Sequence, residues 1–293
     1  VLCPCGSRRR EADHLLLPLM FLAGLPVAVP TDALCWFDAS QSDSLSIGGD
    51  GSVSAWRSRT GDDAIVARAH GSQRPRLAPV RGRGPRGALR FDGRNDVLLA
   101  RGLDLRLPAW TAVAVVAPLA PGHGGIVSGV PLGGDDYDPG FVIDMFGSTG
   151  GFNYVSVEGA GRQGGRLNQR TRSTPFGAFA AVVVCRDETE LRVYVDGALE
   201  GTRPVSPAET LVEELRLGAR RYGGRDQEFL RAELAEFMLF DRVLSDEERQ
   251  ALERPRVASE AQRRRGEEYG LAEQRKAREE RMVAPKVLRT WAN

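Results

Sequence analysis

The sequence predicts an all-β fold, an antiparallel β-sandwich with a short helix after the last strand and a charged C-terminal helix. Short runs rich in β-branched and aromatic residues occur repeatedly between residues 31 and 240. Clusters of Gly, Pro, Asp and Asn separate most of them, and these residues favour turns. No alternation of strands with helices accompanies the runs, which disfavours a parallel doubly wound sheet.

The strand predictions fall, in chain order, at 112–117, 141–146, 152–158, 179–185 and 191–195. Asp196-Gly197 follows the last of these and supplies the two residues that a type I′ hairpin turn requires. In that strand, alternation places Leu191, Val193 and Val195 on one face, as expected for a half-buried antiparallel sheet.

The first helix is predicted at 245–252, because Ser245 can cap its first turn and Glu248 can return the hydrogen bond. Residues 258–282 are dominated by Glu, Arg, Gln and Ala with few large apolar residues, which indicates a solvated helix or linker. A coiled coil is the alternative, although no apolar heptad series persists.

The domain organisation is predicted as a signal peptide at 1–30, one sandwich at 31–254 and a charged tail at 255–293. Arg8, Arg9 and Arg10 precede an apolar stretch at 15–29, which is the layout of a secretory signal. We therefore expect a secreted, cell-surface or periplasmic protein, tethered at the membrane only if the leader is retained as an anchor. Cys35 and Cys185 remain after cleavage; buried free thiols are favoured, and a disulfide between them stays open.

Several segments together resemble the laminin G-like jelly-roll domains of the concanavalin A-like lectin and glucanase superfamily, as found in exported bacterial proteins. The segments are LCWFDAS at 34–40, VSAW at 53–56, LRFDGRNDVL at 89–98, the hairpin region at 179–199, LRLGA at 215–219 and AELAEFMLFDRVLSDEE at 232–248. They run in the family's order from about residue 34 to residue 253. The resemblance implies a jelly-roll sandwich that serves as a binding or adhesive module.

The function predicted from these observations is non-catalytic extracellular recognition of a carbohydrate or matrix-like ligand. A protein-interaction scaffold is the main alternative and glycoside hydrolysis the minor one. Hydrolysis needs two carboxylates flanking one bond, and the odd spacing of Glu233 and Glu236 predicts that they point to opposite faces of a strand. The net charge of +1 gives no reason to expect nucleic acid as a partner.

The ligand site is predicted at exposed aromatic rings and polar groups in Gly-rich stretches, where a sugar ring can stack. Its residues are Tyr137, Tyr222, Asp135 and Arg225. The arginine-rich run at 74–86 is a second candidate, for sulfated or carboxylated polysaccharide, against the simpler interpretation of a solvated connector. The three histidines, His14, His70 and His123, are interpreted as surface residues of the leader and of polar loops.

Calcium is the predicted ion, because hard cations prefer several oxygen ligands on loops. Two acidic turns supply such oxygens: Asp135, Asp136 and Asp138 in one, and Asp92, Asn95 and Asp96 in the other. The alternative is that Asp and Asn only form the turns themselves.

Overall fold

The computed structural model describes residues 30–60, 65–78, 87–137, 139–148, 151–161 and 166–253. The predicted leader and charged tail, together with part of the arginine-rich run, lie outside them. The strands are β1 Cys35–Asp38, β2 Leu45–Ile47, β3 Val53–Arg57, β4 Val66–Arg68, β5 Arg76–Leu77, β6 Leu89–Arg90, β7 Leu98–Leu107, β8 Trp110–Pro118, β9 Gly122–Val130, β10 Phe141–Ser148, β11 Gly151–Gly159, β12 Arg166–Thr174, β13 Ala180–Arg186, β14 Glu190–Val195, β15 Ala198–Pro204, β16 Thr210–Leu217, β17 Arg220–Tyr222, β18 Arg225–Gln227 and β19 Ala232–Phe240. A 3-10 turn at Ser42–Ser44 and one helix, α1 Asp246–Glu253, complete the described elements.

Two large antiparallel sheets form the predicted jelly-roll sandwich. The eight-stranded sheet has the order β15-β14-β13-β8-β19-β6-β5, with β1 also paired to β19. The nine-stranded sheet has the order β12-β11-β10-β9-β16-β7-β4-β3-β2. The many neighbours that are distant in sequence show why no single segment could have revealed this topology.

The core lies between the two sheets and is stabilised by aromatic pairs that cross it. Phe37 of β1 meets Trp56 of β3, with ring centroids 5.5 Å apart. Trp110 of β8 meets Phe141 of β10 at 4.7 Å, and its indole nitrogen donates to Thr210 Oγ1 at 3.0 Å. These rings have no solvent exposure. Each one adds a large apolar area to the core, and the Trp110 hydrogen bond satisfies the polar atom of its ring.

The predicted hairpin and helix are both confirmed. Asp196 and Gly197 have φ of +49° and +82°, and they join β14 to β15 as a two-residue turn of the predicted kind. Leu191, Val193 and Val195 are buried while the residues between them are partly exposed. At α1, Glu248 N donates to Ser245 Oγ at 3.2 Å and Ser245 N donates to Glu248 Oε2 at 2.8 Å, which forms the expected capping box.

The helix covers the outer face of the eight-stranded sheet. Leu252 of α1 and Leu244 before it pack with Val113, Met238 and Phe240 in a second apolar cluster. Cys185 belongs to the same cluster, whereas Cys35 lies in the main core, and both are buried free thiols. Burial raises the pKa of Cys35 to about 12. Within the described residues, no helix has the length and apolar character needed to cross a membrane.

The expectation that Glu233 and Glu236 point to opposite faces of their strand is wrong. A bulge in β19 places Glu233 opposite Ala117 and Glu236 opposite Val115. Since residues two apart on a strand share a face, the inserted residue returns both glutamates to the same, outer face. There Glu233 accepts a hydrogen bond from Arg90 Nε at 3.1 Å, and Glu236 accepts one from Trp36 Nε1 at 3.3 Å.

A small hairpin, β17–β18, lies against the outer face of the nine-stranded sheet. Gly125 of β9 permits this close approach, because a Cβ at that position would lie 2.7 Å from both the Ala219 carbon and the Arg220 nitrogen. Gly125 N also donates to the Glu228 carbonyl at 2.8 Å. The Gly-rich sequence around His123 is therefore part of a strand and not a loop, which corrects the interpretation from sequence.

Candidate functional site

The β17–β18 hairpin divides the outer face of the nine-stranded sheet into two regions of opposite character. Successive residues of a strand point to opposite sides, so Arg220 and Arg221 of β17 face different regions. Arg220 contacts side chains from β10 and β11. Arg221 lines a cleft bordered by β4, β7 and β16. We call the first region the carboxylate side and the second the arginine cleft.

The carboxylate side is organised around the guanidinium of Arg220. Asp136 accepts two hydrogen bonds from it, each 3.0 Å long, and Glu158 accepts one of 2.9 Å. Glu228 Oε2 lies 3.2 Å from Arg220 Nη1, and Asp144 Oδ2 lies 3.7 Å from the same atom. Four carboxylates thus surround one guanidinium, and the side chains of Asp136, Asp144 and Glu158 are at most 2% exposed.

His123 of β9 lies beside this group and is half-buried. Its Nε2 is 3.4 Å from Asp144 Oδ2, and its Nδ1 is 3.0 Å from Glu228 Oε2. Phe146 of β10 pairs with His123 in register and contacts Tyr154 of β11, so the three rings form a row across three strands. His123 is therefore a member of a charged cluster and not an isolated surface residue.

Burial and mutual proximity shift the ionisation of this region. Burial raises the pKa of Asp136 to about 6, although the Arg220 guanidinium opposes that shift. Burial also raises the pKa of Asp144, against the opposing effect of His123. The nearby Asp144 carboxylate raises the pKa of His123 above its ordinary value. Because excess negative charge is concentrated here away from water, the region favours bound protons or cations.

The arginine cleft is an open pocket with a volume of about 850 Å³. Apolar groups of Val66, Val97 and Leu99 contribute to its lining. Its charged and polar lining consists of Arg68, His70, Gln73, Arg101, Glu214, Arg216, Arg221 and Asp226. Such a mixture of apolar surface with a few convergent polar groups is characteristic of ligand sites.

Positive charge exceeds negative charge in the cleft, where four arginines face two carboxylates. Buried Arg216 bridges Glu214 at 2.7 Å and Asp226 at 2.8 Å. Arg101 Nε lies 2.9 Å from Glu214 Oε1, yet its side chain is 69% exposed. With Arg216 bonded to both carboxylates, the remaining guanidinium donors of the exposed Arg68 and Arg101 are available to an anionic ligand.

The structure brings the four residues of the predicted ligand site together at the tip of the hairpin. Tyr137 and Tyr222 meet edge to face with ring centroids 5.4 Å apart, and Arg225 pairs with Tyr222 across β17 and β18. Asp135 accepts hydrogen bonds from Gly223 N and Gly224 N, both at 3.0 Å. Asp135 thereby holds the hairpin turn, and ligand binding by this group stays a prediction.

The two acidic turns differ in how many of their carboxylate oxygens already accept hydrogen bonds. At the first, both oxygens of Asp135 accept turn amides and both oxygens of Asp136 accept donors from Arg220. Asp138 lies outside the described residues.

At the second acidic turn, Asp92 Oδ1 accepts from Arg94 N at 2.8 Å and from Asn95 N at 3.3 Å. Asp96 Oδ2 accepts from Asp92 N at 2.8 Å. The other oxygen of each of these two carboxylates is therefore more available to an ion than the oxygens of Asp135 and Asp136 are. Calcium at either turn stays a prediction.

Comparison with known families matches residues 120–248 to the Laminin_G_3 model of the concanavalin A-like lectin/glucanases superfamily. The resemblance predicted from sequence is thus confirmed over the segment that contains β9–β19 and the start of α1. No curated protein sequence matches the chain.

Solved structures with the same fold are distant in sequence. A Trypanosoma rangeli sialidase in complex with 2,3-difluorosialic acid has a TM-score of 0.53 and 17% identity, over 81% of this chain and 35% of the sialidase. The botulinum neurotoxin serotype D binding domain has a TM-score of 0.53 and 8% identity, over 76% of this chain and 51% of that domain. A botulinum neurotoxin type C structure has a TM-score of 0.50 and 10% identity, over 71% and 52%. The chain spans about a third of the sialidase and half of the toxin structures, and the likeness shows the fold alone.

Proposed function

We propose that the chain is a non-catalytic recognition module, exported or displayed at the cell surface, that binds acidic carbohydrate in the arginine cleft. The observation that carries this proposal is the excess of arginine in an open cleft of about 850 Å³. Guanidinium groups present planar, paired donors that match carboxylate and sulfate groups. A glycan carrying such groups fits both the charge and the size of the cleft.

The cleft also has a fixed base and an apolar lining, in addition to its charge. Arg101 reaches into solvent from β7, while Arg216 at its base is held in place by Glu214 and Asp226. The buried pairs fix the floor, so an incoming anion needs to order only the exposed side chains. Sugar C–H groups would contact the apolar lining of Val66 and Leu99, and hydroxyl groups would take the polar positions.

The structural neighbours agree with this class of ligand without identifying it. The sialidase structure contains 2,3-difluorosialic acid, and cell entry of the type C toxin is described as dependent on two ganglioside molecules. Those ligands belong to those proteins. A shared fold does not transfer a binding site, so the proposal depends on the lining of the cleft in this chain.

The test is binding of the full chain to sulfated and carboxylated oligosaccharides, represented by heparin and hyaluronan fragments, against neutral dextran fragments. We expect binding to the acidic fragments that weakens as salt rises, because exposed charges are screened. Arg101→Ala is expected to weaken binding about tenfold, since hydrogen bonds to charged groups contribute roughly 1.5–3 kcal/mol. Titration calorimetry measures both effects, with calcium present and again with a chelator.

Arg106→Ala is the matched control. Arg106 lies on the same strand, its side chain is 65% exposed against 69% for Arg101, and its carboxylate partner Glu209 is 4.0 Å away. It does not line the cleft. Equal losses in both variants, or stronger binding to neutral fragments, would overturn the acidic-glycan proposal. Binding to none of the fragments would also overturn it and favour a protein partner.

A further inference from the structure

On the carboxylate side, away from the proposed glycan cleft, His123 and two carboxylates stand close enough to share one ion. One donor atom each from His123, Asp144 and Glu228 lie within 4.8 Å of one another. They come from β9, from β10 and from the segment after β18. The hairpin that approaches β9 at Gly125 is what brings Glu228 to the other two residues.

The charge around these residues is one-sided. Asp136, Asp144, Glu158 and Glu228 all contact the guanidinium of Arg220. The side chains of Asp136 and Asp144 are fully buried. Uncompensated buried negative charge is strongly unfavourable, so these carboxylates favour a further positive charge beside them.

Asp144 is the carboxylate of this group whose oxygens have no hydrogen-bond partner among the described residues. Its side chain is fully buried, and among the described residues its Oδ1 has no hydrogen-bond partner. Its Oδ2 has only the distant contacts with His123 at 3.4 Å and with Arg220 at 3.7 Å. Buried carboxylate oxygens almost always accept a hydrogen bond or bind a metal. An unpartnered oxygen facing an imidazole is the arrangement expected where an ion completes the group.

The two contacts of the imidazole ring differ in length in a way that locates the ion. The 3.0 Å between Nδ1 and Glu228 is an ordinary hydrogen-bond length. The 3.4 Å between Nε2 and Asp144 is too long for one, and it is close to the roughly 3.3 Å that separates neighbouring N and O ligands around tetrahedral zinc. We infer that His123 Nε2 and Asp144 bind a divalent transition-metal ion of the zinc class, with Glu228 holding the Nδ1 proton.

This assignment follows known metal chemistry. Imidazole suits zinc, copper, iron and nickel, whereas calcium takes oxygen ligands. A carboxylate that accepts the other ring N–H of a ligating histidine orients the ring and strengthens its binding. Water or a ligand completes the coordination sphere, and the partly exposed His123 and Glu228 provide access from solvent.

The experiment is a titration of metal-free full chain with zinc chloride, followed by calorimetry and repeated with calcium chloride. We expect the wild type to bind one equivalent of zinc. His123→Ala and Asp144→Asn should lose this binding, and calcium should not displace zinc from the wild type. Glu228→Gln should retain the site with affinity lowered 10- to 100-fold, as for other partners of ligating histidines. Glu209→Gln, which changes a half-exposed glutamate elsewhere, should leave zinc affinity unchanged.

Folding of each variant is followed by thermal unfolding, so that loss of zinc is not confused with loss of structure. Glu228→Gln is the decisive variant, because its side chain is 37% exposed and its replacement leaves the buried cluster in place. Zinc binding that is equal in the folded wild type, His123→Ala and Glu228→Gln would overturn the inference. Absence of zinc binding to the wild type, or displacement by calcium, would overturn it as well. None of these outcomes depends on glycan binding in the arginine cleft.

Discussion

The two sides of the β17–β18 hairpin use similar residues to opposite effect. On the carboxylate side, four acidic groups contact one arginine. In the arginine cleft, four arginines line the walls together with two acidic groups. The adjacent residues Arg220 and Arg221 belong to different sides, because a strand alternates the direction of its side chains. A hairpin of eight residues thereby separates two regions of opposite charge.

The difference in burial between the two sides matters more for what each can bind than the difference in charge does. The Arg220 side chain is 5% exposed and its closest partners are buried, so the contacts there are strong and cannot be exchanged for a ligand without cost. Arg101 in the cleft is mostly exposed, and water already competes for its contact with Glu214. The comparison teaches that an exposed charge excess is available for recognition, whereas a buried one calls for a counter-ion.

The largest effect that tests this comparison is expected on stability. Arg220→Met removes the guanidinium that contacts the buried Asp136, Asp144 and Glu158, and breaking a buried pair costs about 3–5 kcal/mol. Arg221→Met, on the cleft side, should cost about 1 kcal/mol or less, because its side chain is 23% exposed and its ion pair with Asp226 is 3.5 Å long. Urea unfolding of the two variants measures the difference. Equal free-energy losses would show that the two sides do not differ in this way.

A second, smaller effect concerns the pH dependence of folding stability. It comes from Asp96, which lies in a turn outside both sides of the hairpin. Burial raises the pKa of Asp96 from 3.8 to about 6 in the folded protein. The folded state therefore holds this proton more tightly than the unfolded state, and the contribution of Asp96 to stability falls as pH rises from about 4 to about 6. We expect Asp96→Asn to remove a decrease of roughly 3 kcal/mol over that range, since each pKa unit corresponds to about 1.4 kcal/mol.

Urea unfolding of wild type and Asp96→Asn at several pH values measures this effect. The variant should gain stability relative to the wild type as pH rises, and a constant difference between the two would contradict the assignment. Asp50→Asn is a useful control, because Asp50 is exposed and its pKa is lowered by hydrogen bonds from Ser52.

The smallest effect asks whether the ligand extends across the hairpin. Tyr222 is 46% exposed and meets Tyr137 at the tip, in the group predicted from sequence to bind sugar. Tyr222→Ala is expected to weaken heparin-fragment binding about threefold, because an aromatic contact contributes roughly 0.5–1.5 kcal/mol. Calorimetry alongside Arg101→Ala measures it. An unchanged affinity would confine the ligand to the cleft, and a loss larger than that of Arg101→Ala would move the main site to the tyrosines.

Local sequence signals predicted local structure well. Asp196-Gly197 predicted its turn because few residue pairs accept positive φ at both positions. Ser245 and Glu248 predicted the start of α1 because both partners of the capping box lie within one turn. In these cases, the interacting groups are neighbours in the chain, so no knowledge of distant segments was needed.

Predictions that depended on strand register were less successful. One extra residue in β19 reversed the expected relation of Glu233 to Glu236, and bulges have no clear sequence signal. His123 was assigned to a loop because glycines surround it, whereas those glycines allow the hairpin to approach β9. A second bulge, where Ile143 and Asp144 of β10 pair with Val127 and Gly125 of β9, interrupts the regular alternation of that strand.

The sequence by itself determined the sandwich, the β14–β15 turn, the capped helix and a family resemblance from about residue 34 to residue 253, which the family comparison confirms over residues 120–248. It also placed Tyr137, Tyr222, Asp135 and Arg225 in one candidate group, which the structure brings together at the hairpin tip. Only the tertiary structure decided the arginine cleft and the cluster of His123, Asp144 and Glu228. The physical reason is that their residues come from strands up to about 160 positions apart in the chain, and sheet pairing and burial, not local conformation, set their charge environment.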